Sequence, residues 1–355
     1  MSIKSIYSKL FVSPKFLAMP AVSLQILPDG ISFLATRNSE EGILPEQYGF
    51  IHLPDGTVSH GDIIKREPVI KALNEIRKLT GVSFAKLSIP EDKTYMFKTQ
   101  LPNLEANEIH NVIEFKIEEN VPLSIKEAVF DYDIIPKSRK DNKEVDVVVS
   151  VTQLKTVQEY QTVLELAGLT PVLFSPESNN IAKSVIKDTN RQVVVIVNIQ
   201  ERNIVQSLVV NGVVCQTSTL NFGSSTFTDL IAKYYKVDLE EAKKIKKEKL
   251  YSENSDNMEI FSYFINTISA IKDEIYKYVS YCNEREDVES RVDRIILCGR
   301  AAMIVGFEKY LSMNLNMEIE VANIWVNNFD LNSYVPEISK AVSLDIAVVN
   351  GLNLL

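Results

Sequence analysis

The sequence has few of the residues that usually build metal or disulfide sites. Its three cysteines, Cys215, Cys282 and Cys298, are odd in number, far apart and never in a C-x-x-C pair. Neither a zinc site nor a disulfide framework is therefore indicated. The sequence also lacks the Gly-rich Walker loop and the Gly-x-Ser-x-Gly nucleophile elbow, so no catalytic motif of these classes is expected.

Excess basic charge and long apolar runs are also absent. The formal net charge is −9, whereas a protein that neutralises phosphates is expected to be basic, so nucleic acid is excluded as a partner. No stretch approaches the roughly 20 apolar residues that cross a bilayer. Lysine and proline interrupt every apolar run near the N-terminus, so no signal peptide is predicted. These absences favour a cytoplasmic protein.

The strongest structural signal is an apolar, β-branched run at Val193–Val197. It predicts a strand that is buried on both faces, followed by a polar turn and a second strand at Ile204–Val210. Asn211-Gly212 then predicts a tight turn into a third strand. Ala21–Thr36 repeats this strand–turn–strand pattern in the first half of the chain. The repetition predicts a duplicated α/β fold with a cleft between its two halves.

The chain has 355 residues, which suffices for two domains of about 150 residues with additions. Between the halves, an amphipathic helix at Leu104–Asn120 precedes strands at Ala128–Ile135 and Val145–Val151, and a further helix ends at Gly168. We predict that residues 90–168 form a small inserted subdomain. The other predicted units are a first subdomain (1–89 and 169–190), a second main subdomain (191–232 and 290–355) and a helical subdomain (233–289).

Several segments carry a resemblance to a known family. They are residues 14–22, Leu101–Ile135, Tyr160–Thr170 with its Ala-Gly-Leu element, Gly223–Lys246 and the closing Ala347–Leu352. Their order and spacing resemble the actin-like ATPase superfamily, and within it the PilM family of type IV pilus assembly proteins, which is related to the division protein FtsA. The resemblance implies an actin-like (ribonuclease H-like), duplicated two-lobe α/β fold with an inserted small α+β subdomain.

In this superfamily, two hairpins cradle the nucleotide phosphates, and each normally carries an aspartate. The first aspartate aligns with Gln25, and Ser23 stands where glycine is usual. The second hairpin, normally Asp-x-Gly, reads Asn198-Ile199-Gln200. Magnesium prefers oxygen ligands that usually include a carboxylate, and glycine lets the backbone approach a phosphate. With Gln25 in the first hairpin and Asn198 in the second, neither hairpin keeps the acid that would bind magnesium.

The resemblance also identifies the positions that normally face the adenosine. Gly223 and Gly299 are retained, and Lys246 matches the expected lysine, but Arg300 replaces a second glycine. We expect Arg300 to pair with a local acid. The nucleotide site is thus expected to be degenerate and inactive, with no cofactor, and with ATP and magnesium bound only if the degenerate site still holds them.

The resemblance implies a non-enzymatic cytoplasmic adaptor that lies peripherally at the inner face of the cytoplasmic membrane. Its partner would be the N-terminal cytoplasmic tail of a PilN-like membrane protein, and further partners would be other inner-membrane pilus components and possible second copies of this chain. Such a tail would add to an exposed strand between the first and inserted subdomains. The candidate contacts are Phe115, Val129, Phe130 and Leu87.

Two other functions fit the same fold. An active actin-like ATPase of the FtsA kind would bind ATP and magnesium and polymerise at the membrane. It would need a C-terminal amphipathic anchor, which we do not expect after the apolar helix predicted at Ala341–Leu355. A type II secretion protein of the GspL kind would continue into a transmembrane helix, which is not expected either.

Overall fold

The computed structural model describes residues 20–102, 106–136, 144–187, 189, 191–251, 258–285 and 291–355. Residues 14–19 of the first segment that carries the resemblance, and Leu104 at the start of the predicted helix, lie outside the described residues. The strands are β1 (Ala21–Leu27), β2 (Gly30–Ser39), β3 (Gly42–His52), β4 (Val58–Ser59), β5 (Asp62–Ile63), β6 (Phe84–Ile89), β7 (Thr94–Pro102), β8 (Ala128–Ile135), β9 (Glu144–Gln153), β10 (Thr170–Pro176), β11 (Val193–Ile199), β12 (Ile204–Val210), β13 (Val213–Leu220), β14 (Arg294–Cys298) and β15 (Glu318–Val321).

The helices match most of the apolar periodicities in the sequence. They are α1 (Arg66–Thr80), α2 (Ala106–Asn120), α3 (Leu154–Leu166), α4 (Glu177–Val185), α5 (Ser225–Tyr235), α6 (Leu239–Ile245), α7 (Met258–Glu284), α8 (Phe307–Leu315), α9 (Lys340–Asp345) and α10 (Ala347–Asn353). The apolar helix predicted at the C-terminus is therefore two short helices. Among the helices of the described ranges, none is long and apolar enough to cross a membrane.

Two five-stranded sheets share one topology. The first lobe has the order β3-β2-β1-β6-β10, and the second has β13-β12-β11-β14-β15. In each sheet three antiparallel strands are followed by two parallel ones. All seven residues of β11 are buried, as the β-branched run predicts. The duplicated fold inferred from the two hairpins is confirmed.

The inserted subdomain is a three-stranded sheet, in the order β7-β9-β8, with α2 on one face. Ile109, Ile113 and Ile117 of α2 pack against the valines of β9. The opposite face of the sheet contacts the second lobe, where Val148 and Ile135 pack against Cys215 of β13. The inserted subdomain therefore contacts both lobes.

Helix α3 belongs to the first lobe and not to the inserted subdomain. Tyr160, Val163 and Leu164 are buried in the same core as α1 and the first sheet. The inserted sheet ends with β9 at Gln153, before the boundary that the sequence predicts at residue 168. The sequence pattern identifies the apolar stripe of this helix correctly but cannot tell which sheet the stripe covers.

The two lobes share an apolar core around α4 and α10. Ile181 and Val185 of α4 lie in one cluster with Val194 of β11 and Val349 of α10. The backbones of the two helices touch, because a Cβ atom at Gly351 would lie 1.6 Å from the backbone oxygen of Asn180. This close packing sets the position of α4, whose first residue enters the cleft.

Candidate functional site

The carboxyl ends of several parallel strands meet in the cleft between the lobes, where α/β folds usually place their functional groups. From the first lobe come Gln25 in β1, Glu91 just after β6, and Glu177, which follows β10 as the first residue of α4. From the second lobe come Asn198 and Gln200 at the end of β11. We call these five residues the cleft cluster.

Glu177 lies at the centre of the cleft cluster and is only 5% exposed. Its Oε1 accepts hydrogen bonds from Asn198 Nδ2, at 3.3 Å, and from Gln200 Nε2. Gln25 also contacts this carboxyl group and favours its ionised form. The amides that occupy the expected positions of the acids are thus brought together on one glutamate.

Burial raises the pKa of Glu177 to about 8, and the nearby Glu91 adds to the rise. Burial also raises the pKa of Glu91, which is 6% exposed. Glu91 Oε2 accepts from the backbone N–H of Ser178 at 3.3 Å, while Oε1 has no hydrogen-bond partner among the described residues. Glu177 therefore favours its neutral form at physiological pH.

Lys246, the lysine expected on the adenosine side, forms an ion pair and hydrogen bonds with neighbouring protein groups. Its Nζ donates to Glu201 Oε2 at 3.1 Å, to the backbone oxygen of Ser224 at 2.8 Å and to Thr228 Oγ1 at 3.1 Å. The residue is 6% exposed and begins a short π-helical segment, Lys246–Leu250. Burial lowers the pKa of Lys246, and Glu201 opposes that effect.

Two retained glycines allow close backbone contacts around β11. A Cβ atom at Gly223 would lie 2.5 Å from the backbone oxygen of Gln200, which accepts from the N–H of Ser224 at 2.8 Å. Gly299 has φ +80°, and its Cβ would lie 2.3 Å from the backbone oxygen of Ile199. Both glycines therefore serve the packing of the end of β11 against neighbouring loops.

Arg300 and Ser23 are the remaining predicted cleft residues. Arg300 forms a two-pronged ion pair with Asp345 of α9, with Nε to Oδ1 at 3.1 Å. This confirms the expected pairing with a local acid. Ser23 is fully buried in β1, and its hydroxyl has no hydrogen-bond partner within the described part of the chain.

The residues of the cleft do not fit a magnesium–triphosphate group. The hairpin side chains are amides bound to Glu177, and the carboxyls nearby, Glu177 and Glu91, are buried with raised pKa values. Magnesium prefers ionised carboxylates and water. The cations that could attract phosphate, Lys246 and Arg300, are already paired with acids.

A second candidate site lies where the first lobe meets the inserted subdomain. A pocket of about 670 Å³ is lined by charged residues of the first lobe (Asp62, Arg66, Lys155 and Glu159), by Lys93 in the turn before β7 and by Gln153 at the end of β9. Two ion pairs cross it: Arg66 binds Glu159 in a two-pronged pair, and Lys93 Nζ lies 2.8 Å from Asp62.

Strand β8 starts beside this pocket and has one free edge. Its first residue, Ala128, pairs with Gln153, which lines the pocket. Within the described ranges β8 pairs only with β9, so its other edge presents unpaired backbone groups. We call the pocket together with this free edge the peptide groove.

The predicted partner-binding residues do not all lie on the peptide groove. Val129 is 40% exposed on β8, and Phe130 is half-buried and stacks on His110 of α2 at 4.7 Å. Phe115 is 75% exposed, but it lies about 140° around α2 from His110, away from β8. Leu87 is fully buried in β6, an interior strand of the first sheet, so its side chain is not accessible to a peptide, contrary to the expectation from the sequence.

Comparison with known proteins identifies the family. A sequence model described as type IV pilus assembly protein PilM matches residues 25–354. The chain belongs to the PilM family. A solved structure described as the PilM–PilN type IV pilus biogenesis complex is similar to the chain, with 16% identity, a TM-score of 0.77, and coverage of 95% of this chain and 98% of that one.

Two more solved structures have the same fold. The ethanolamine utilisation protein EutJ from Carboxydothermus hydrogenoformans has 15% identity and a TM-score of 0.57, with 95% and 90% of the two chains covered. ADP-bound MreB5 of Spiroplasma citri has 12% identity and a TM-score of 0.57, with 96% of both chains covered. These likenesses confirm the actin-like fold that the sequence predicts.

Sequence reasoning about this PilM-family chain missed Glu91 and Glu177. Both acids come at the carboxyl ends of parallel strands, Glu91 after Pro90 at the end of β6 and Glu177 after Pro176 at the end of β10. The carboxyl ends of such strands are where an α/β fold collects its polar groups, and that signal was available in the sequence. It did not reveal that the two acids would be neighbours, because they are far apart along the chain.

Proposed function

We propose that this chain is a non-enzymatic adaptor of type IV pilus assembly, which binds the N-terminal cytoplasmic tail of a PilN-like inner-membrane protein. Membership of the PilM family supports the pilus role, and the similar structure contains a PilM–PilN complex. The observation that carries the proposal is the free edge of β8 beside a pocket between the first lobe and the inserted subdomain.

The tail would extend β8 by one strand. Backbone hydrogen bonds along a strand edge supply affinity without regard to sequence, and side chains that enter adjacent pockets supply specificity. Val129 offers an apolar contact close to the pocket, since it neighbours Ala128, the pairing partner of Gln153. The bound tail would hold the adaptor at the inner face of the membrane, near other pilus components.

We also propose that the chain does not hydrolyse ATP. Glu177 and Glu91 carry negative charge or none, and no cation among the described residues contributes to the pKa shift of either group. The triphosphate would have to displace the amide contacts of Glu177 and compete with Glu201 for Lys246. Both steps cost free energy before any phosphate is bound.

The peptide groove can be tested with a synthetic peptide of the PilN-like tail and fluorescence anisotropy. Val129→Gln should weaken binding about fivefold or more, because losing the burial of part of a valine costs about 1 kcal/mol. Val172→Gln is the matched control, since Val172 is 41% exposed on β10, an edge strand of the first sheet, and this variant should bind as the unmodified protein does.

Phe115→Ala distinguishes the groove from the outer face of α2. We expect only a small effect, similar to that of Met313→Ala on α8, because both side chains are 75% exposed and neither lies beside β8. A large loss with Phe115→Ala alone would move the contact to α2. Failure of the unmodified protein to bind the tail would overturn the adaptor proposal.

A further inference from the structure

We propose that the cleft cluster joins the two lobes in place of a nucleotide and thereby fixes the peptide groove in its binding geometry. This inference rests on the proposed peptide-binding function and says how peptide binding would be regulated, through the contacts between the lobes. Its basis is that the cleft cluster and the groove share one short segment of chain, the 3-10 turn Glu91–Lys93.

The contacts of Glu177 run from one lobe to the other. Glu177 belongs to α4 of the first lobe, while its donors Asn198 and Gln200 end β11 of the second lobe. Asn198 is 4% exposed, so its bond with Glu177 lies away from water. Breaking such a contact leaves buried polar groups unsatisfied, which costs more than the bond itself contributes.

The second acid of the cluster connects the lobes to the inserted subdomain. Glu91 is tied to α4 through the N–H of Ser178, and Thr217 of β13 in the second lobe lies beside its carboxyl group. Two residues later, Lys93 lines the pocket of the peptide groove and pairs with Asp62. Thr94 then begins β7.

The far end of the groove also depends on the second lobe. Ile135, the last residue of β8, packs with Cys215 and Val213 of β13. The backbone oxygen of Pro136 accepts from Asn211 Nδ2, in the turn between β12 and β13, at 2.7 Å. Strand β8 therefore starts at the first lobe and ends at the second, and a change in the angle between the lobes displaces its ends relative to each other.

The physical consequence is a coupling between two sites. A tail that lies along β8 needs the register and twist of the whole strand, so it binds best when the lobes are closed. In this chain the protein's own side chains make the contacts that hold the closed state. Peptide affinity should then depend on Glu177 and Gln200, although neither residue touches the groove.

The test uses the full chain and two measurements. Hydrogen exchange of β11 and of the turn between β11 and β12 reports opening of the cleft, and anisotropy with the PilN-like tail peptide reports binding. Glu177→Ala removes all the cross-lobe contacts of the carboxyl group, and Gln200→Ala removes one of them at a half-buried position that should tolerate the change. We expect faster exchange in both variants and about tenfold weaker binding for Glu177→Ala, within the usual range of coupling between sites.

Two controls separate coupling from general destabilisation. Glu177→Gln keeps an oxygen acceptor for Asn198 and Gln200, so its affinity should stay within about twofold of that of the unmodified protein. Ser312→Ala removes a hydrogen bond to the backbone oxygen of Met317, 3.0 Å long and distant from the cleft, and should leave both readouts unchanged.

The outcomes distinguish the two proposals. If the unmodified protein does not bind the tail, the peptide-binding function fails, while exchange still tests whether the cleft cluster holds the lobes. If the unmodified protein binds and both alanine variants bind equally well, the coupling is overturned. Unchanged exchange in both alanine variants would overturn the role of the cluster as a lobe connection.

Discussion

Replacing Glu177 with glutamine should change how the stability of the protein depends on pH. The pKa of Glu177 rises from an ordinary 4.5 to about 8 in the folded chain. Each pKa unit corresponds to about 1.4 kcal/mol, so the shift corresponds to about 5 kcal/mol at most. The pKa rises because the carboxyl group is buried without a neighbouring cation. Glutamine is neutral and has the same shape, so Glu177→Gln should remove this part of the pH dependence of stability and keep the shape of the site.

The sign follows from proton binding. Between pH 4.5 and about 8, Glu177 is protonated in the folded state and ionised in the unfolded state. The folded state therefore binds more protons, and the free energy of unfolding falls as pH rises, by up to about 1.4 kcal/mol per pH unit. The charged groups that face Glu177 are Glu91 and Asp92, and both add to the rise of its pKa.

The assay is urea unfolding at pH 5, 6, 7 and 8, followed by the fluorescence of Trp325. This is the single tryptophan of the chain, and it is 5% exposed in the core shared by both lobes. The stability difference between Glu177→Gln and the unmodified protein should grow by about 1 kcal/mol per pH unit between pH 5 and 8. Glu308→Gln, which removes an exposed carboxylate of α8, is the control. Parallel pH profiles for Glu177→Gln and the unmodified protein would refute the assignment of Glu177 as a neutral, buried acid.

Two predictions concern the cleft in other ways. Calorimetric titration with ATP and magnesium should show no tight binding, and a micromolar dissociation constant would contradict the proposed loss of the nucleotide site. Gly223→Ala should destabilise the protein by about 1–3 kcal/mol, since its Cβ would lie 2.5 Å from the backbone oxygen of Gln200 and the loop would have to move. Gly212→Ala, whose cost would come from its φ of +87° because open space surrounds it, should cost less, and a smaller loss for Gly223→Ala than for Gly212→Ala in thermal or urea unfolding would contradict the close approach at Gly223.

The sequence predicted the strands and turns of this fold well, because each of them is indicated by residues that are neighbours along the chain. The β-branched run at β11 and the Asn211-Gly212 turn each depend on a few neighbouring residues. The repetition of the hairpin then gave the duplicated topology. The three cleft amides could also be located, because the resemblance to the actin-like superfamily aligns each of them with a position in the two hairpins.

The features that the sequence does not place depend on partners that are distant along the chain. Leu87 lies on β6, and alternation alone cannot place that strand in the interior of a sheet. Helix α3 has a correct apolar stripe, but the stripe covers the first lobe. Glu177 gains its importance from the approach of α4 to β11, and that approach depends on packing between α4 and α10 that no local pattern encodes.

The amides and Glu177 are best understood together. An aspartate at position 198 or 200 would place another carboxylate beside Glu177, where no described cation would offset the repulsion and burial would oppose both charges. An asparagine or glutamine at the same place donates a hydrogen bond to that carboxyl group and carries no charge. Neutral amides at these hairpin positions are therefore the condition under which a buried glutamate can join the lobes. Restoring those acids without also removing Glu177 would destabilise the cleft before it could create a magnesium site.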